Sequence, residues 1–89
     1  MPETSQTLQR RDGLHVREID GETVILDQDR EQMHSLNPTA AFIFDAIDGR
    51  RTVEDICRDL ATSFEVTLEV AERDARALIL QLRKLGLVL

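Results

Sequence analysis

The hydrophobic pattern changes period near residue 37. Before it, short β-prone runs are separated by polar turns. After it, apolar residues recur at helical spacing to the end of the chain. Residues 14–19 and 23–27 flank Asp20-Gly21-Glu22, and an Asp-Gly pair between two such runs signals a hairpin. A second polar turn at 28–30 leads to a weaker third strand, 31–36, in which Met33, His34 and Leu36 are the residues able to pack. Strands joined by such short turns form an antiparallel meander, and in chain order the third lies at an edge.

Asn37 suits an N-cap, Pro38 the first helical position, and Gly49 the position beyond the helix end. Between them Ala40, Ala41, Phe42, Ile43, Phe44, Ala46 and Ile47 leave Asp45 as the main polar interruption, the mark of a central helix. A second helix starts at Thr52, with Glu54 and Asp55 at the positive end of its dipole and Val53, Ile56, Cys57, Leu60 and Phe64 on one stripe. The third and longest, 68–85, has Thr67 as N-cap and Gly86 as its stop. Its expected core stripe is Ala71, Ala75, Leu78, Leu82 and Leu85, and Glu69–Arg73 and Glu72–Arg76 stand at i,i+4 in the favourable order. Leu87-Val88-Leu89 is expected to fold back on the core. Residues 1–11 are polar apart from Leu8 and are expected to form a flexible tail, leaving 12–89 as one domain. The fold class is thus α+β, a three-stranded antiparallel sheet followed by three helices.

Composition narrows the chemistry. At 42% hydrophobic and 31% charged, the chain has the make-up of a packed globular domain. No run approaches a membrane span, and the first residues lack a signal-peptide core, so the cytoplasm is the expected compartment. One cysteine, Cys57, excludes an internal disulfide and falls on the buried stripe, where it reads as a core residue. Seventeen acids against eleven bases give a net charge of −6, which opposes attraction to phosphate backbones and anionic lipid. With no Trp or Tyr and every Phe in a helix, a stacking platform for nucleic acid is missing.

The two histidines lie on strands separated by the middle one, and neither zinc-ligand spacing nor a phosphate-binding glycine loop is present. Catalysis, a metal and a cofactor are therefore not expected. Three strands and three helices also match a winged-helix DNA-binding or regulatory module. There the third helix would enter the major groove, but its first turns carry Glu69, Glu72 and Asp74 against Arg73 and Arg76. Strand addition of a peptide to the exposed third-strand edge is the other candidate. An edge merely guarded by the charges of Arg30 and Glu31 stands beside it. Val70, Asp74, Ala77 and Gln81 run along one flank of the third helix, with Leu80 outside the core stripe near Ala77 and Arg73. That strip reads either as a groove wall or as surface with one stray leucine.

Residue order adds what periodicity leaves open. Leu36-Asn37-Pro38-Thr39-Ala40-Ala41, then Ile43, then Asp48-Gly49-Arg50-Arg51-Thr52-Val53-Glu54-Asp55-Ile56, resembles the PqqD family. So does the ending, with Asp74 in a helix that closes on Leu82-Arg83-Lys84-Leu85-Gly86-Leu87-Val88. The resemblance runs from about Gly13 to Leu89. It implies a winged-helix-like RiPP recognition element that binds the leader of a ribosomally made precursor peptide without catalysis and presents it to a modifying enzyme. That enzyme is a radical SAM enzyme in PQQ biosynthesis and a leader peptidase in lasso-peptide systems. Nucleic acid and membrane are not implied as partners, and monomer and homodimer both remain open. By the same resemblance the leader pairs with the backbone of Glu31, Gln32, Met33, His34 and Ser35. Asp74 matches a recurrent acid and is the candidate polar contact. Val70, Arg73, Ala77, Leu80 and Gln81 join it from the helical wheel, while Asn37 and Thr39 are expected to hold the fold.

Overall fold

The computed structural model describes residues 7–89. Its elements are β1 (Leu14–Ile19), β2 (Glu22–Asp27), β3 (Gln32–Leu36), α1 (Pro38–Ala46), α2 (Val53–Ser63) and α3 (Leu68–Lys84). The sheet is antiparallel in the order β1-β2-β3, as the meander requires. Each helix begins where its cap was expected. Asn37 accepts from the Ala40 amide at 2.8 Å and Thr67 from Val70 at 3.2 Å. Thr52 and Asp55 exchange bonds of 3.0 and 3.1 Å as a capping box.

Ile25, Ile43, Phe44, Ile47, Ile56, Leu60 and Leu82 fill the centre, so α1 is enclosed by the sheet, α2 and α3. In α3 the fully buried residues are Ala71, Ala75, Ile79 and Leu82, whereas Leu78 and Leu85 are only partly buried. The helix is thus rotated from the expected stripe. It turns Ile79 into the core and carries Leu78 to the edge of the interface.

The expected tail boundary at Arg11 moves. Leu8 is 2% exposed and belongs to the core, and residues 7–11 lie beside the C-terminal segment. Arg11 N–H donates to Leu87 O at 3.0 Å, Leu89 N–H to Gln9 O at 2.9 Å, and Arg10 bridges to Val88. Leu87 and Val88 are buried as expected, and this pairing with residues far away in sequence orders the segment. The expectation for residues 1–6 lies outside the described residues. No helix among the described residues is long and apolar enough to cross a membrane.

Candidate functional site

The first turn fixes which backbone groups along the sheet are already in use. Asp20 and Gly21 both have positive φ, 52° and 81°, the requirement of a two-residue type I′ hairpin. Its flanking residues, Ile19 and Glu22, are then a hydrogen-bonded pair, and so, in steps of two, are Arg17–Val24 and His15–Leu26. Thr23, Ile25 and Asp27 direct their backbone groups the other way, to their partners Leu36, His34 and Gln32. Met33 and Ser35 consequently turn N–H and C=O outward along the open side of the sheet. Side chains alternate on the same count: Gln32, His34 and Leu36 face the helices, and Met33 and Ser35 the far side.

Glu31 departs from the expected strand. Its φ is +54° and its amide donates to Gln28 O at 3.3 Å, so it closes the turn before β3 and offers no strand backbone.

Beside β3 lies a hollow of about 380 Å³ between the strand, the start of α1 and α3, walled by Leu36, Ala40, Leu78, Gln81, Leu82 and Leu85. Met33, His34, Ser35 and Asn37 complete it. A second hollow of about 260 Å³ shares Asn37, Ala40 and Leu78 and extends the cleft to Thr39, Asp74 and Ala77. The structure therefore brings Met33, His34, Ser35, Asp74, Ala77 and Gln81 together along one groove. Glu31 and Gln32 line a separate hollow with Leu26 and Gln28 at the β2–β3 turn.

Val70, Arg73 and Leu80 do not line the groove. Leu80 is 55% exposed and Arg73 is exposed. Each lies two residues, about 200° of helical turn, from a core residue (Leu82 and Ala75), which puts both on the outer side of α3. Arg73, expected opposite Glu69, sits 3.6 Å from the Asp74 carboxylate. Leu78 was assigned to the core but lines both hollows. The signal for it was its i,i+4 and i,i+3 spacing from Asp74 and Gln81, which puts all three on one face. Asn37 keeps its expected capping bond while also bordering the groove.

A polar clasp sets the separation of β3 from α3. Asp27 is 1% exposed, and its carboxylate accepts from the Arg11 guanidinium and, at 3.3 Å, from the Arg30 amide. Arg11 Nε donates to Gly86 O at 2.6 Å, and Arg30 Nη1 to Leu85 O at 3.0 Å. The two arginines thereby tie the β2–β3 turn to the end of α3. Gly86, with φ of 75°, leaves room for this, because a Cβ there would collide with the Arg30 guanidinium. The Arg11 hydrogen bond, helped by the Arg30 amide, holds the Asp27 carboxyl below its ordinary 3.8 despite desolvation.

The groove offers main-chain donors and acceptors, an apolar wall and one acid. His34 Nε2 is buried there without a hydrogen-bond partner among the described residues. His15 pairs with Leu26 and His34 with Ile25, so the two imidazoles stand on opposite faces of the sheet. Cys57 is buried in α2, and burial pushes its thiol up, away from the nucleophilic thiolate.

Comparison with known proteins bears on the fold that carries this groove. A lasso peptide synthetase B1 complexed with the leader peptide superposes with a TM-score of 0.82 at 30% identity, covering 92% of this chain and 96% of that one. TbiB1 in complex with the TbiA(beta) leader peptide gives 0.80 at 21% identity, covering 90% and 93%. The solution structure of the PqqD truncation of Methylobacterium extorquens PqqCD, a functional and stand-alone RiPP recognition element, gives 0.78 at 19% identity, covering 100% and 99%. No curated protein sequence matches the chain significantly. The sequence profile of coenzyme PQQ synthesis protein D (PqqD) matches residues 22–88, three quarters of the chain, and the chain belongs to the PqqD family.

Proposed function

We propose that the chain is a non-catalytic recognition element that binds the leader of a ribosomally synthesised precursor peptide by strand addition to β3. The observation that carries this reading is the open edge at Met33 and Ser35, whose backbone groups turn outward beside a groove walled by α3. An extended peptide there gains main-chain hydrogen bonds from the edge and apolar contacts from Leu36, Leu78 and Leu85. Asp74 supplies the polar contact and Gln81 a second hydrogen-bonding group. Membership of the family and likeness to two leader-bound structures support the same occupant.

The bound precursor is presented to a modifying enzyme, a radical SAM enzyme or a leader peptidase being the classes that the family resemblance implies. The compartment proposed is the cytoplasm, in keeping with a single unpaired cysteine. The domain works as a monomer or a homodimer, which sedimentation with and without peptide decides. The rival DNA-binding reading is disfavoured by Glu69, Glu72 and Asp74 on the first turns of α3. Calorimetry with the leader of a precursor peptide, sought as a short open reading frame neighbouring this gene, tests the proposal. Saturable binding of that leader, with no shift of a DNA duplex at low salt, is the expected result. Salt-sensitive duplex binding without leader binding would overturn it.

A further inference from the structure

The groove beside β3 contains two hollows whose walls differ and whose spacing matches a strand. A strand added to β3 faces the helices with its residues opposite Gln32, His34 and Leu36, and turns those opposite Met33 and Ser35 to the far side. Its helix-facing side chains therefore recur every second residue, about 7 Å apart. The α3 walls of the two hollows, 74–78 and 78–85, are centred about five residues apart, roughly 7.5 Å of helix rise. One strand thus seats alternate side chains in the two hollows. β3 and α3 run in opposite directions, since Arg30 before β3 reaches Leu85 while Asn37 after it borders the Asp74 hollow. The residue opposite His34 then enters the larger hollow, and the residue opposite Leu36 enters the smaller one.

The walls indicate what each hollow takes. Leu36, Leu78, Leu82 and Leu85 make the larger one a site for a large apolar side chain. In the smaller one, Ala40 and Ala77 leave a channel between α1 and α3, and Asp74 stands beside it. Asp74 is the one Asp, Glu, Lys or Arg among the described residues lining either hollow. Its neighbour Arg73 is largely exposed and 3.6 Å away, beyond hydrogen-bond length, and such a surface pair holds an acid only weakly. The positive end of α1 adds little, because Pro38 has no N–H and Asn37 takes the Ala40 and Ala41 amides. A narrow apolar channel leading to a carboxylate suits the stem and head of Lys or Arg. We infer that the paired hollows read a basic–x–apolar triplet in the leader. Lys or Arg lies opposite Leu36, with its stem along Ala40 and Ala77 and its head at Asp74, and two residues later a large apolar side chain lies opposite His34. The order follows from antiparallel addition, the pairing used throughout this sheet and the more stable per residue. The inference rests on the leader reading and names the side chains that the leader presents.

The test uses backbone-amide NMR with three capped heptapeptides. They are Thr-Thr-Lys-Thr-Leu-Thr-Thr, its counterpart with glutamate in place of lysine, and its counterpart with lysine and leucine exchanged. The first is expected to shift the amides of Met33, Ser35, Asp74 and Leu78 and to bind at least about fivefold better than either of the others. Its advantage over the glutamate peptide should shrink as salt is raised. Asp74→Lys, on the exposed side of α3, is expected to reverse the preference in favour of the glutamate peptide, which an acid with a purely structural role would not do. Equal binding of all three peptides at Met33 and Ser35 would overturn the inference and leave strand addition standing. Preference for the exchanged peptide, or an unchanged preference in Asp74→Lys, would overturn it too. So would the absence of β3 shifts with every peptide, and a separate titration with the precursor's leader then reports on the leader reading alone.

Discussion

Replacing Ser35 with proline separates the two sets of backbone groups on β3. By the count from the Asp20-Gly21 turn, the Ser35 amide points outward and takes no part in the β2–β3 ladder. Proline there deletes a donor that the fold does not use. A leader loses one main-chain hydrogen bond, a net of about 0.5–1.5 kcal/mol, and leaves a carbonyl facing the ring unpaired, for about 1–3 kcal/mol more. The sum corresponds to a rise in Kd of roughly 1 to 3 powers of ten. His34→Pro is the contrast, because the His34 amide is committed to Ile25. The same losses then fall on a domain held by about 5–15 kcal/mol, and Tm drops by about 10 °C or more. Calorimetry gives the Kd and circular dichroism the Tm. A folded Ser35→Pro protein with unchanged leader affinity refutes strand addition at this edge, and equal loss of Tm in both variants refutes the assignment of the backbone groups.

Asp74→Ala is expected to weaken leader binding by up to about fivefold with little change in Tm, since the carboxylate is half-exposed at the groove and no part of the core. Unchanged affinity would reduce Asp74 to a surface acid. His34→Leu removes a buried nitrogen that has no partner among the described residues and is expected to raise stability by about 1 kcal/mol, seen as a higher Tm; a lower Tm would contradict this. Asp27 has a folded pKa below 3.8, so its contribution is fully present above 3.8 and is lost as pH falls through the folded value. Asp27→Asn should therefore lower Tm at neutral pH and flatten its fall in acid, and an unchanged acid limb would show that the Arg11 pair is not the source.

The parts of this structure legible in the sequence are those decided locally. The Asp20-Gly21 turn, the caps at Asn37, Thr52 and Thr67, and the strand order each depend on a few neighbouring residues. The segment 7–11 was illegible because its order comes from residues 87–89 and from Asp27, which no local pattern couples to it. The β3 edge followed from topology, and so did the outward-facing strand. The phase of α3 did not, because Leu78 and Ile79 are equally apolar and only packing decides which turns inward. Leu80 and Arg73 were misplaced by that same ambiguity. The occupant of the groove came from residue order and family likeness, as hydrophobic patterning carries no information on which peptide a strand edge receives.

Amide hydrogen exchange, with and without the precursor's leader peptide, tests the central claim most directly. Without leader, the amides of His34 and Leu36 should be protected by the ladder, and those of Met33 and Ser35 should exchange freely. Leader should slow Met33 and Ser35 by about ten- to a hundredfold, the effect of new strand hydrogen bonds. Slowing at β1 instead, or none on either edge at saturating leader, would contradict the account.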